Sequence, residues 1–340
     1  MKIRASSPGK AILFGEHAVV YGEPAIVTAI DRRTYVEVED SKNIEITSED
    51  LEVKGIRIRP GKRFETKEDV SFRRASYIFT AIKVLEDEIG KINGARVEIK
   101  SDIPIASGLG SSAALVVPLI ASLAFHSGHE LSKDEIRKLG WRVEEEVQGA
   151  SSGVDTTIAT FGGTILYRRG SYKEIRCKVP LVIGFSGKGS STKRALEEVR
   201  RRMRKNPEII RGIMRGIGQI TRKAVIAIRQ NNLEDLGELM NLNQGLLYSL
   251  GVSSRELDSM IRCSLEAGAL GAKITGAGMG GCVIAIPNRN EVRVGIRLGG
   301  GIPIPVRTGE RGLEIESVED RGKRNNKEEG GERGGKRRSG

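Results

Sequence analysis

Four stretches of the chain carry residue types that can do chemistry together. The strongest is PIASGLGSSA at residues 104–113. It sits between an alternating apolar run and a long apolar segment. Gly108 and Gly110 let the backbone turn and approach a ligand closely. Ser107, Ser111 and Ser112 supply hydroxyls. A helix starting here adds free N–H groups and a partial positive charge, a recipe for holding phosphate. The loop is not a P-loop, because no Gly-Lys-Ser/Thr follows. It matches G-x-G-x-x-A through Gly108, Gly110 and Ala113. A dinucleotide turn, however, opens directly after its strand, and here residues 102–106 intervene. No second strand ends in an acidic residue about 20 positions on. Taken alone, the loop also reads as a glycine-rich turn with a serine cap.

The other three stretches are weaker singly. Residues 8–22, PGKAILFGEHAVVYG, carry Lys10 at one end of an apolar run and Glu16-His17 at the other. Residues 144–155, EEEVQGASSGVD, place three glutamates at the end of a helix, where the helix dipole disfavours them. One of them can ligate a cation, or all three can form a solvated face. Asp155 follows in a small-residue loop that can aim a carboxylate inward. Such a carboxylate can position or deprotonate an alcohol. Residues 275–281, TGAGMGG, follow Lys273 and form an unusually thin backbone, either a bulged hairpin or a close approach to a ligand.

Composition narrows the classes. Three cysteines (Cys177, Cys263, Cys282) without close spacing exclude a disulfide scaffold and a cysteine zinc site. Three histidines are too few for a histidine-rich metal site. The start, MKIRASSPGK, lacks the apolar run of a signal peptide, and residues 113–125 are too short to span a bilayer. A cytoplasmic protein without a membrane partner is expected. The net charge of +12 raises an RNA-binding module as an alternative. Aromatics at 4% leave little to stack on bases, so no nucleic acid is required. A positive field equally suits a nucleotide and an anionic small substrate.

The elements that must position these residues follow from periodicity. Residues 2–5, 25–30, 34–39, 95–100, 161–167 and 181–185 read as strands. Residues 112–125 read as a buried helix. Residues 131–147 read as a second helix, with Ser132 and Glu135 in a capping-box pattern. Residues 192–229 are helical with a break near Pro207, and 233–250 and 254–267 continue in helical period. Strands at 272–275 and 282–286 flank the second glycine loop, and a short strand region ends near residue 315. From residue 321 the chain is polar and glycine-rich, so the basic tail, residues 318–340, is expected to be disordered. Strands and helices mix without strict alternation, which favours an α+β class in two domains.

Taken in order, these stretches resemble the superfamily of galactokinase, homoserine kinase, mevalonate kinase and phosphomevalonate kinase. PGKAILFGEHAVVYG is most similar to mevalonate kinases. Galactokinases place an acidic residue soon after the equivalent Gly-Glu-His, where this chain has Ala18-Val19-Val20. Phosphomevalonate kinases tend to carry Tyr where His17 stands. PIASGLGSSAA resembles the superfamily's phosphate loop and KITGAGMGGC its third motif. The resemblance runs from about residue 2 to 282, more weakly to 315. Met279 stands where many relatives have Gly, and the basic tail matches nothing in the family.

The resemblance implies a two-domain small-molecule kinase fold. Residues 1–186 would form a ribosomal-protein-like β/α sandwich with a left-handed crossover, and residues 187–317 a ferredoxin-like domain. It also implies roles. Asp155 would be the catalytic base, paired with Lys10, which would lower the pKa of the substrate hydroxyl or stabilise charge on the phosphoryl group. Ile105, Ala106, Ser107, Gly108, Leu109, Gly110, Ser111 and Ser112 would line the triphosphate of ATP. Ser112 and Glu144 match the two Mg²⁺ ligands. The spacing to Asp155 selects Glu144 over its neighbours, and Ser111 is the fallback for Ser112. Glu16, His17 and Thr192 would face the substrate, and Gly276, Ala277 and Gly278 would close the site. The implied reaction is ATP-dependent phosphorylation of the primary hydroxyl of (R)-mevalonate to 5-phosphomevalonate. The alternative is a related kinase of homoserine, a sugar or another mevalonate hydroxyl. Relatives are often dimers, so a homodimer is expected.

Overall fold

The structure, a computed structural model of the 340-residue chain, describes residues 2–48, 53–58, 65–66, 72–92, 94–104, 106–149 and 151–318. The chain opens with β1 (Lys2–Phe14), a 3-10 turn (Ala18–Tyr21), β2 (Ala25–Asp40), β3 (Ile44–Ser48), β4 (Val53–Ile58) and β5 (Glu65–Thr66). Then come α1 (Phe72–Ile89), β6 (Ala95–Ser101), α2 (Ser111–His126), α3 (Lys133–Gln148), α4 (Val154–Phe161), β7 (Thr164–Arg168), β8 (Ser171–Glu174) and β9 (Val182–Phe185). The last third holds α5 (Thr192–Lys205), α6 (Pro207–Arg229), α7 (Leu233–Ser249), α8 (Arg255–Glu266), β10 (Ala269–Thr275), β11 (Cys282–Pro287), α9 (Val292–Leu298), β12 (Ile302–Pro305) and β13 (Glu314–Val318).

Among the described residues the strands form two sheets. The larger has the order β13-β1-β2-β6-β3-β4-β5, with β7 on the other half of β2 and β8 on β7. Only its β3–β6 pair is parallel. The smaller, β10-β11-β9-β12, is wholly antiparallel. The α+β expectation holds. The expected division after residue 186 cuts across these pairings. β9 is bonded into the smaller sheet, and β13 returns to pair with β1, Lys2 opposite Val318. Val318, the first residue of the expected disordered tail, therefore closes a strand. Residues 319–340 lie outside the described residues.

β1 is longer than the alternating run at its start suggests. It continues through Pro8-Gly9 because a bulge there absorbs the missing donor, with Pro8 opposite Arg33 and Gly9 opposite Ile30. Beyond the bulge both faces are covered. Ala11 and Leu13 pack with Ala114 of α2, and Ile12 packs with Val154 and Ile158 of α4. A strand buried on both faces loses its alternation, so pattern reading stops short of it.

α2 is apolar all round and wholly buried from Ala113 to Ala124, as such a helix must be. Each of its leucines, valines and isoleucines contributes about 1.5–3 kcal/mol of burial, enough to absorb Pro118 in its interior. α3 starts at the expected capping box: Ser132 accepts from the Glu135 amide, and the Glu135 carboxylate accepts from the Ser132 amide. The break at Pro207 is real, with Pro207 in the first position of α6. One core cluster joins Leu13 and Ile26 of the larger sheet to Ile183 and Ile284 of the smaller. The two sheets thus share an apolar seam, and the site lies beside it.

α1, α4 and α9 were not expected. α4, VDTTIATF, is short and rich in β-branched residues, a pattern that favours a strand locally. Phe161, expected to open a strand, instead ends this helix, and the strand begins at Thr164.

Candidate active site

Two glycine loops meet backbone to backbone at the end of β1. Gly110, in the left-handed region at φ 75°, is the N-cap of α2. A Cβ there would lie 2.8 Å from Lys10 Cγ. A Cβ on Gly276 (φ 85°) would lie 2.9 Å from the Gly108 carbonyl oxygen. Only glycine permits both the turns and the approach. Three further bonds lock the arrangement. The Lys10 amide donates to the Leu109 carbonyl at 2.9 Å. The Thr275 hydroxyl accepts from the Ile12 amide at 2.8 Å and donates to the Ile12 carbonyl at 3.1 Å. A side chain from the smaller sheet thus completes a strand of the larger one.

A cavity of about 250 Å³ opens where these loops, α3, α4 and α5 converge. Lys10 is buried on its wall, and its Nζ stands 3.3 Å from Asp155 Oδ1. Asp155 lies in the first turn of α4, after a left-handed Gly153, where the helix dipole favours a carboxylate. Its side chain remains one-third exposed, open to a ligand. Glu144, inward-facing on α3, is buried and accepts from the Ser151 hydroxyl at 2.7 Å. Burial, and next the negative charge of Asp155, push its pKa up to about 8, against the Ser151 hydrogen bond.

The cavity brings together most of the residues picked out in the sequence. Lys10, Glu16, His17, Ala106, Gly108, Gly110, Ser111, Ser112, Glu144, Asp155, Thr192, Gly276 and Ala277 all line it. Ser107, Leu109 and Gly278 do not. The Ser107 side chain is fully buried and accepts from the Leu109 amide at 3.4 Å. The Leu109 side chain fills the core below the loop. Gly278 turns its loop against Val252, whose carbonyl would lie 2.2 Å from a Cβ there. The side chains of Ser107 and Leu109 and the turn at Gly278 thus give the loops their shape. Ile105 lies outside the described residues.

Residues 76–163 match the GHMP kinases N terminal domain, and residues 224–296 match GHMP kinases C terminal. The chain is 44% identical to the mevalonate kinase of Pyrococcus furiosus, over 94% of this chain and 99% of that one. The chain belongs to the mevalonate kinase family. Its fold is similar to the crystal structure of the Methanococcus jannaschii mevalonate kinase, with TM-score 0.75 and 31% identity over 91% of this chain and 98% of that one. It is also similar to L. major mevalonate kinase in complex with R-mevalonate, with TM-score 0.73 and 27% identity over 90% and 95% of the two chains.

In this member of the mevalonate kinase family, sequence reasoning missed several residues of the site. Ser190 and Tyr77 line the cavity from outside the four stretches, and Gln148 and Ser151 line it from within residues 144–155, where only the acidic residues had been picked out. Lys273 was visible beside the third motif, but its partner was not. Lys273 is fully buried and ion-paired with Glu16, 257 positions away. Asn243 of α7 donates to the second Glu16 oxygen at 3.4 Å and carries no sequence signal at all.

The glycine at 110 gives a direct test. Gly110→Ala forces a left-handed alanine, worth about 1–2 kcal/mol of strain, and drives a methyl into the Lys10 stem. The expected result is a kcat lowered about tenfold or more by displacement of the lysine head, with only a modest drop in Tm. Steady-state kinetics beside a thermal melt checks it.

Proposed function

We propose that the chain transfers the γ-phosphoryl group of ATP to the primary hydroxyl of (R)-mevalonate, giving 5-phosphomevalonate. The observation that carries this reading is the Lys10–Asp155 couple, 3.3 Å apart on the wall of a cavity roofed by two glycine turns. The α2 N-terminus and the open backbone at Gly108 and Gly110 suit a polyphosphate. Asp155 orients the substrate hydroxyl and takes its proton on a carboxylate oxygen. The Lys10 ammonium offsets the charge that develops on the attacking and transferred oxygens. Most of the rate gain then comes from positioning and electrostatics rather than from covalent chemistry.

The donors at the site fit Mg²⁺. Glu144 supplies a buried carboxylate whose charge is strained by Asp155, and Ser112 supplies a hydroxyl on the same wall. Among the described residues no group of three His, Cys, Asp or Glu can hold a metal by itself. A hard cation that takes few protein oxygens and completes its shell on phosphate matches this set. Held there by Ser112 and Glu144, Mg²⁺ would offset the negative charge of the nucleotide's phosphates. Glu144→Gln is expected to raise the free Mg²⁺ needed for half-maximal rate by about tenfold or more, read from rate against free Mg²⁺ at saturating ATP. An unchanged Mg²⁺ dependence would remove Glu144 from this role.

The deciding experiment is a coupled ATP-turnover assay with mevalonate, ATP and Mg²⁺, omitting each in turn. Galactose and homoserine serve as competing alcohols. Turnover dependent on mevalonate and not on the other two supports the proposal. Turnover only with another alcohol overturns the substrate and keeps the kinase.

A further inference from the structure

The ion pair between Glu16 and Lys273 is buried without any exposed atom on either side chain. A pair of this kind is weak ground for stability, since apolar residues of similar volume often serve as well or better. Its location is more informative. Glu16 lies between β1 and the 3-10 turn and reaches the cavity wall, yet its oxygens are taken by Lys273 and Asn243. The Lys273 ammonium also donates to the Ile274 carbonyl at 2.6 Å, one residue before the Thr275 that bonds to β1. Next along the chain, His17 is held at φ 60°, a left-handed backbone uncommon for a residue with a side chain. Its Nε2–H donates to the Ala277 carbonyl at 2.9 Å, within the third motif. The carbonyl is acceptor-only, which sets the tautomer. Burial holds the ring neutral, with its pKa down to about 4.

We propose that Lys273 is a positioning residue: through Glu16 and Asn243 it holds His17 and the Ala277 loop together as one wall of the cavity, and it cancels the Glu16 charge beside anionic ligands. This rests on the function proposed above only for the identity of those ligands, a nucleotide and a carboxylate-bearing alcohol. An unpaired Glu16 carboxylate on that wall would repel both. With Lys273 in place the wall is electrically neutral and its carbonyls and ring are fixed.

The test compares the parent with Glu16→Gln/Lys273→Met, which removes both charges without leaving either alone, and with Asn243→Leu, which keeps the ion pair. The first readout is kinetic. In the double variant kcat/KM for mevalonate is expected to fall about a hundredfold, while KM for ATP stays within about twofold. Asn243→Leu shows the same split at about tenfold. The second readout needs no turnover. The chain has three histidines, so imidazole ¹⁵N spectra resolve His17 from His126 and His129. In both variants His17 alone is expected to lose its single neutral tautomer and titrate nearer the ordinary range. Unchanged His17 signals overturn the proposal, as does a loss shared equally by both substrates and matched by the fall in Tm. Asn243→Leu decides the question alone should the double variant not fold. A parent inactive on mevalonate removes the substrate assignment, and the His17 spectra still decide the positioning role.

Discussion

Asp155→Asn is expected to lower kcat by about 10²–10⁴-fold, the range supplied by a positioned general base. The substitution keeps the shape of the side chain and one oxygen near Lys10. It removes the negative charge and the ability to take a proton. Asp155 is one-third exposed, and among the described residues its ion pair is with Lys10, so the fold does not depend on it. The lost interaction with the α4 dipole is worth about 0.3–1 kcal/mol, too little to unfold the chain. KM for ATP should stay within a few fold, because the triphosphate is assigned to the glycine loop and α2. The size of the loss is itself informative. A loose, metaphosphate-like transition state asks little of a base before transfer, and would place the loss at the low end. A wholly active Asp155→Asn protein would show that the couple is structural, and the proposed mechanism would go with it.

Lys10→Met carries the second large effect. Methionine retains the apolar stem that packs on Gly110 and removes only the ammonium. Two carboxylates, Asp155 and buried Glu144, then face one cavity with no lysine between them. The kcat is expected to fall about 10²–10³-fold, the scale for removing one preorganised charge-stabilising group. In the proposed mechanism Lys10 and Asp155 act as one unit, so their losses should not add. The double variant Lys10→Met/Asp155→Asn should be little worse than the poorer single variant. Single-turnover kinetics on the three proteins measures this directly. Full additivity would mean that the two side chains act independently in spite of their 3.3 Å separation.

Several readings made from residue order alone agree with the structure for local reasons. The capping box at Ser132 and Glu135 and the helix start at Pro207 depend on atoms within four positions of one another. Lys10, the 144–146 glutamates and Asp155 stood out as candidates by residue type, but the choice of Glu144 and the role of each came from the resemblance to the kinase superfamily. The net charge of +12 illustrates the opposite case. It raised an RNA-binding module as an alternative, but Arg201 and Arg202, for example, both bond to Glu198 on their own helix. Charge counts cannot distinguish a free patch from a paired one.

Residue order by itself determined the glycine turns and the helix starts, because each depends on backbone freedom or capping groups close along the chain, whereas the pairing proposed for Lys10 and Asp155 came from the resemblance to the kinase superfamily. Packing alone decided that VDTTIATF is a helix, that β9 and β13 cross between the expected domains, and that Glu16 belongs to Lys273. The reason is burial. A β-branched segment becomes helical, and a carboxylate gives up water, only when the surrounding surface removes the alternative. That surface is assembled from segments hundreds of residues apart, such as Glu16, Asn243 and Lys273.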